Sequence, residues 1–224
     1  MRGLIESMAK VREKSSVYAR IMAGCPLTRI DPRPGCFWKV HNKAIIAGEI
    51  LSMYSNVWKG LALPSGIDED RLDRERLERV VSVSRSFFID TMSALEHCAM
   101  QVLPMYEETP MFVGLKECAE ERRYLYMRDF IRGAGAYGFV DAVKLEDWNN
   151  LITIRNLSVH NNAISDRSLK CVIGHTKISM RPNRMMKGAI TAYVELAETA
   201  LDHFYDLLNR LEDQSDQQDT ISPK

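Results

Sequence analysis

Residues 71–103 read RLDRERLERVVSVSRSFFIDTMSALEHCAMQVL and decide the fold class. Apolar side chains recur along this stretch every three to four positions, which is the period of an α-helix. These positions are Leu77, Val81, Phe88, Met92, Leu95, Ala99 and Val102. Acidic residues at 68–70 can cap the first turn. The pattern therefore predicts one long amphipathic helix that stops before Pro104.

Helical patterns flank this stretch on both sides. We predict further helices at about residues 1–23, 39–63, 115–132, 148–160 and 188–211, with Asp147 as the N-cap of the helix at 148–160. Residues 24–36, 104–110 and 133–138 are rich in proline or glycine and are predicted to be loops. A short β pair is predicted around Val172 and Ile178. The fold class is therefore all-α, a bundle of about four to five helices.

Three regions are expected along the chain. Residues 1–66 are predicted to be an N-terminal loop and helical extension that packs on the bundle, and residues 67–212 to form the bundle. The last stretch, 213–224, is polar and is expected to be a disordered tail.

Composition narrows the class of function. The apolar content of 46% supports a real core, and the net charge is zero, so any contact with nucleic acid must come from a local patch. The five cysteines show no paired C-x2-C spacing, which argues against a zinc site or a disulfide framework. No apolar run reaches the length of a membrane span. We therefore expect a cytoplasmic protein with no cofactor, no metal and no membrane partner.

The sequence RNLSVH at residues 155–160 carries the strongest functional signal. It places a cation that can hold a phosphate close to a histidine that can move a proton, at the end of a helix. On a straight helix, Arg155 and His160 lie about 140° apart, whereas Asn156 and His160 share a face. Arg155 and His160 can therefore meet only where the helix ends or distorts. Asn161 and Asn162 are natural residues for that ending.

Arg155, Asn156 and His160 form an Arg-Asn-x-x-x-His motif late in an all-α chain, and this motif resembles the HEPN superfamily of ribonuclease and nucleotide-binding domains. The family signature is Arg-x4–6-His, and a polar residue directly after the arginine is typical of the active members. Residues 85–102 also look like the family helix that faces the motif. The resemblance covers roughly residues 72–211.

The resemblance implies a metal-independent endoribonuclease, in a defence or toxin setting. The 2′-hydroxyl of the RNA would attack the adjacent phosphate and leave a 2′,3′-cyclic phosphate. His160 would move the proton, Arg155 would stabilise the extra negative charge, and Asn156 would orient the pair or contact a phosphate oxygen. Such sites often form in a homodimer, with one motif from each chain. The alternative is a non-catalytic module of the same fold that binds nucleotide, RNA or protein.

One branch of the family is regulated by a nucleotidyltransferase antitoxin and usually carries a tyrosine two residues after the histidine. Position 162 is asparagine here, which argues against that partner.

Two further groups of residues are candidates for the site. Glu96 lies at the edge of the apolar stripe of the long helix, either paired with Arg155 or solvated at the rim. Four arginines that follow the long helix could hold RNA phosphates, and they are Arg122, Arg123, Arg128 and Arg132. Asn161 and Asn162 are further candidates for RNA contact. Acidic residues on the same helix favour a solvated, salt-bridged surface over RNA binding for these arginines.

The segment at 133–138 matches G-x-G-x-x-G. No strand precedes it, so an interhelical turn is favoured over a nucleotide-binding loop.

Overall fold

The computed structural model describes residues 1–60, 69–107, 109–122, 124–160, 164–166, 168–184, 186 and 189–219. Within this part of the chain there are seven α-helices, one 3-10 helix at Leu103–Tyr106 and one antiparallel β pair. The helices are α1 (Arg2–Gly24), α2 (Pro32–Gly60), α3 (Glu69–Val102), α4 (Pro110–Arg122), α5 (Met127–Ala136), α6 (Ala142–His160) and α7 (Ala192–Asp219). The strands are β1 (Leu169–Ile173) and β2 (Thr176–Met180). The predictions of an all-α fold and of a short β pair are confirmed.

The long helix predicted from the apolar stripe is α3, and it is the centre of the fold. It packs against α2 and α7, and also against α5 and α6. Buried side chains from all seven helices join one hydrophobic cluster, which runs from Leu4 in α1 to Leu211 in α7. The predicted boundary at residue 66 lies outside the described residues. The two helices that precede it, α1 and α2, share one hydrophobic core with the helices that follow it.

The predicted loop at 24–36 is wrong in its second half, because α2 begins at Pro32. Asp31 precedes the helix, and its Oδ1 accepts a hydrogen bond from the backbone N–H of Arg33 at 2.9 Å. Proline is well tolerated in the first turn, where its missing N–H would have no helical partner. The two prolines at 32 and 34 therefore belong to the start of α2.

Arg33 is completely buried and links the start of α2 to α7. Its Nη2 donates to Asp31 Oδ2 at 2.8 Å and to the Cys25 carbonyl oxygen at 2.7 Å. Its Nη1 donates to Glu212 Oε2 in α7 at 3.0 Å. A buried guanidinium requires such partners, because an unpaired buried charge is strongly destabilising.

The helix predicted at 115–132 is two helices, α4 and α5. Tyr126 precedes α5 with extended backbone angles (φ −116°, ψ 163°), and its N–H donates to Asp129 Oδ2 at 3.1 Å. This carboxylate closes the first turn of α5 as a reciprocal cap. The predicted loop at 133–138 is also corrected, since Gly133 and Gly135 lie inside α5. A Cβ on Gly133 would come within 3.1 Å of Leu115 in α4, so the glycine permits close helix packing.

Asp147 is not an N-cap, because α6 begins at Ala142. Asp141 caps it instead, accepting the backbone N–H of Lys144 at 2.9 Å. Asp147 is buried within α6, and its Oδ2 lies 3.0 Å from Nε2 of His203 in α7. The carboxylate therefore joins α6 to α7.

The β pair follows α6 and leads into the last helix. Leu169 pairs with Met180 and Ile173 with Thr176, and the connecting turn contains Gly174 with φ +56°. The last helix, α7, extends to Asp219, past Leu211, where the sequence pattern places its end. None of the described helices combines the length and apolar character that crossing a membrane requires.

Candidate functional site

A groove of about 460 Å³ opens between α3, α5 and α6. Residues Met92 and Glu96 of α3 form one side of it. The last turns of α6 contribute Ile152 and three residues of the predicted motif, which are Arg155, Asn156 and His160. All four residues predicted to be catalytic therefore line the same groove.

Glu96 joins the three helices at the base of the groove. Its Oε1 accepts the backbone N–H of Met127, the first residue of α5, at 3.1 Å. Its Oε2 lies 3.4 Å from Nη2 of Arg155. The two charged side chains are about a quarter exposed, at 28% and 26%. From the sequence, Glu96 could be paired with Arg155 or solvated, and the structure pairs it with Arg155.

Arg155 is held at two points by its neighbours. Besides the contact with Glu96, its Nη1 donates to Oδ1 of Asn156 at 3.0 Å. A guanidinium carries five N–H donors in a planar fork. These two contacts leave N–H groups for an anion that enters the groove. Asn156 therefore orients the arginine through a direct hydrogen bond.

His160 is the last residue of α6 and is exposed at the rim of the groove. Its ring makes no hydrogen bond to any residue in the described part of the chain. Arg155 and His160 line the same groove although five residues of helix rotate them far apart. Asn161 and Asn162, the predicted helix ending and RNA contacts, lie outside the described residues.

The N-terminal half of α5 forms another wall of the groove. Arg128 and Arg132 line it, are both exposed, and are four residues apart, so they share a helix face. They were predicted as RNA-binding residues together with Arg122 and Arg123. Nothing is described of the Arg122 side chain, and Arg123 lies outside the described residues.

The sequence pattern missed three residues of this wall, Tyr126, Met127 and Asp129. A weak signal existed for Tyr126 and Asp129. Asp129 stands three residues after Tyr126, which is the spacing of an N-terminal helix cap. No local signal marked Met127, because its role is a backbone N–H that reaches Glu96 on another helix.

The charges of the groove favour an anion. Three arginines face it against two carboxylates, Glu96 and Asp129. Each carboxylate accepts a backbone N–H at the start of α5, from Met127 and Tyr126 respectively. The positive end of the α5 dipole is therefore already matched by carboxylates. Attraction for a further anion comes from the guanidinium groups.

A second cluster, around Asp147 and His203, does not support nucleophilic chemistry. Cys171 in β1 is the nearby thiol, and burial raises its pKa, with a further increase from Asp147 and Glu146. A thiol held in its protonated form is a poor nucleophile. The described residues contain no group of three or more histidine, cysteine, aspartate or glutamate side chains arranged to hold a metal ion.

No family model matches the chain, and no curated protein or solved structure matches it either.

Proposed function

We propose that the chain is a metal-independent endoribonuclease of the HEPN type, which cleaves RNA to a 2′,3′-cyclic phosphate. The observation that supports this most directly is the placement of Arg155, Asn156 and His160 on one groove that is open to solvent. A structural histidine would be expected to be buried against a backbone carbonyl. Exposure of His160 on the same groove as a fixed arginine favours chemistry over the non-catalytic alternative.

The proposed step moves one proton off the nucleophile and one onto the leaving group. The ribose 2′-oxygen forms a bond to phosphorus while the bond from phosphorus to the 5′-oxygen of the next nucleotide breaks. No water is consumed. The products are one strand that ends in a 2′,3′-cyclic phosphate and one that begins with a 5′-hydroxyl.

Arg155 supplies the electrostatic part of this step. Its free N–H donors bind the nonbridging phosphate oxygens, whose negative charge grows in the transition state. Asn156 holds the guanidinium at 3.0 Å on one edge, and Glu96 holds it at 3.4 Å on the other. We assign Asn156 and Glu96 as positioning residues, because both contact Arg155 and would act on the phosphate through it.

His160 transfers the proton, and its position at the rim suits a symmetric pair of chains. The reaction needs a base for the 2′-hydroxyl and an acid for the leaving 5′-oxygen. Each groove contains one histidine. In a homodimer with facing grooves, the second chain would provide the second imidazole. Sedimentation at high protein concentration tests this part, and a monomer alone would contradict it.

The cytoplasm is the proposed compartment. The four cysteines whose state is described, which are Cys25, Cys36, Cys98 and Cys171, are all free thiols. Free thiols are typical of a reducing compartment.

Cleavage of single-stranded RNA by purified protein tests the proposal. His160→Ala is expected to lower the rate by about 10²–10⁴-fold, which is the usual contribution of general acid–base catalysis. Arg155→Ala is expected to lower it by at least about 10²-fold. The matched control is His97→Ala, which removes an exposed histidine of α3 outside the groove and should cleave like the unaltered protein.

Three further results identify the chemistry. Activity should persist in EDTA, and a 2′-deoxy substitution at a cleavage site should abolish cleavage there. Mass spectrometry should find the 2′,3′-cyclic phosphate. If the unaltered protein cleaves no RNA, or if His160→Ala cleaves as fast, the enzyme proposal fails and the binding module replaces it.

A further inference from the structure

Two exposed tyrosines stand where the chain enters α5, beside the groove. Tyr124 is 70% exposed and Tyr126 is 62% exposed. Leu125 between them packs against the hydrophobic core. The two rings therefore lie on the solvent side of the segment. Tyr126 also lines the groove itself. No stacking partner for either ring exists among the described residues.

Two arginines continue this surface along α5. Arg128 and Arg132 follow Tyr126 on the same wall, are exposed, and make no ion pair in the described part of the chain. Arginine presents a planar fork that matches the oxygens of a phosphate. The wall therefore displays the aromatic ring of Tyr126 and, beside it, the exposed guanidinium groups of Arg128 and Arg132.

We propose that Tyr126, Arg128 and Arg132 form a subsite for one nucleotide of a single-stranded RNA. The base stacks on the ring of Tyr126, and the two arginines bind the phosphates on either side of it. The position of this subsite next to the bond that is cleaved rests on the proposed function, but the binding chemistry does not. Tyr124 stacks the next base outward.

The chemistry of the wall selects an unpaired strand. Bases offer their faces to an aromatic side chain only when they are unstacked, as in single strands and loops. In a duplex these faces are covered by neighbouring bases. Stacking is also tolerant of base identity, so the subsite gives affinity and position with little sequence preference.

The neutral chain makes this local patch necessary. With a net charge of zero, the protein has no general attraction for a polyanion. Asp129 lies on the same wall, but its Oδ2 accepts the N–H of Tyr126 at 3.1 Å. Its charge is thus directed at the helix start, and the guanidinium groups project from the exposed face.

Fluorescence anisotropy with a labelled single-stranded RNA tests the subsite. Every 2′-hydroxyl of the probe is replaced by 2′-O-methyl, which blocks cleavage and leaves stacking and charge intact. Tyr126→Ala is expected to weaken binding about 5- to 100-fold, the range found for the loss of one base–aromatic stack. Tyr126→Phe should bind within about twofold of the unaltered protein, because the ring is retained. Tyr137→Ala, at the other end of α5, is the matched control and should change nothing.

The arginines have a separate signature in the salt dependence. The double change Arg128→Ala and Arg132→Ala should reduce the slope of log affinity against log salt by about 1.4, at about 0.7 for each phosphate contact on a single strand. Arg79→Ala, an exposed arginine of α3 outside the groove, should leave the slope unchanged.

The outcomes separate this subsite from the proposed function. If the probe binds with the expected dependence on Tyr126 but natural RNA is never cleaved, the ribonuclease fails and the subsite stands. If natural RNA is cleaved but Tyr126→Ala binds and cleaves normally, the subsite is wrong. Equal dependence on Tyr126 for a duplex probe overturns the assignment, as does binding of a free mononucleotide as tightly as the strand.

Discussion

Replacing Glu96 with glutamine tests how the groove is held together. This change keeps an oxygen for the N–H of Met127 and removes the charge that faces Arg155. Two opposite charges 3.4 Å apart attract each other by about 5 kcal/mol at an effective dielectric constant of 20. Most of this attraction is offset, because water reaches the quarter-exposed side chains and because desolvating the charges costs free energy. Loss of negative charge at the start of α5 adds about 0.3–1 kcal/mol. We expect a destabilisation of about 1–2 kcal/mol.

The assay is urea unfolding followed by circular dichroism, with thermal melting as a second measurement. A change of 1–2 kcal/mol corresponds to a fall of about 2–8 °C in melting temperature for a chain of this size. The matched control is Glu6→Gln. Glu6 pairs with Arg2 at the shorter distance of 2.9 Å, but its side chain is 63% exposed. An exposed pair of this kind contributes less than about 1 kcal/mol.

A double-mutant cycle with Arg155→Ala completes the test. The combined change should destabilise the fold by less than the sum of the single changes, with a coupling of about 0.5–1.5 kcal/mol, because each single change leaves a charge without its partner. Equal effects of Glu96→Gln and Glu6→Gln, or strict additivity in the cycle, would refute the idea that Glu96 joins the three helices through its charge.

Three other predictions concern the rest of the fold. Arg33→Ala should lower the free energy of unfolding by about 3–5 kcal/mol in urea titrations, because it leaves the buried carboxylate of Asp31 without its cation. A short iodoacetamide pulse, read by mass spectrometry, should modify exposed Cys25 and spare Cys36, whose thiol pKa is raised by its hydrogen bond with a neighbouring thiol and by burial. Burial alone would raise the pKa of Glu198, but two lysines, including Lys14, outweigh it and lower that pKa. The contribution of Glu198 to stability is therefore present above its ordinary pKa of 4.5 and is lost as the pH falls below it, so Glu198→Gln should lose less stability than the unaltered protein between pH 5 and pH 3.

Features that depend on neighbours in sequence were predictable. The stripe of apolar residues defines α3 because a helix buries one face at a fixed period. For Glu96, at the edge of that stripe, the sequence left two alternatives, pairing with Arg155 or solvation; the structure shows the pair. The short β pair predicted around Val172 and Ile178 is also present, and these two residues lie on its two paired strands.

Asp147 shows where local reasoning fails. Its position before an apolar run is typical of an N-cap, and nothing nearby in the sequence contradicts that reading. The side chain is instead buried and bonded to His203, which is 56 residues away. A contact at that separation exists only after α6 and α7 have packed. The helix then begins earlier, at a second aspartate, Asp141, which takes the capping role.

The break between α4 and α5 was missed for a related reason, and the same break creates the second wall of the groove. Charged residues from 115 to 132 favour one continuous helix by propensity alone. The structure ends α4 at Arg122 and starts α5 at Met127, whose N–H is bound by Glu96 from α3. A continuous helix would have used that N–H in its own hydrogen-bond ladder, and Glu96 would have lost this partner. The new helix start instead brings Tyr126 and Arg128 to the groove that His160 also lines. The single side chain of Glu96 therefore has two effects. It orients Arg155 on α6, and it fixes the start of α5.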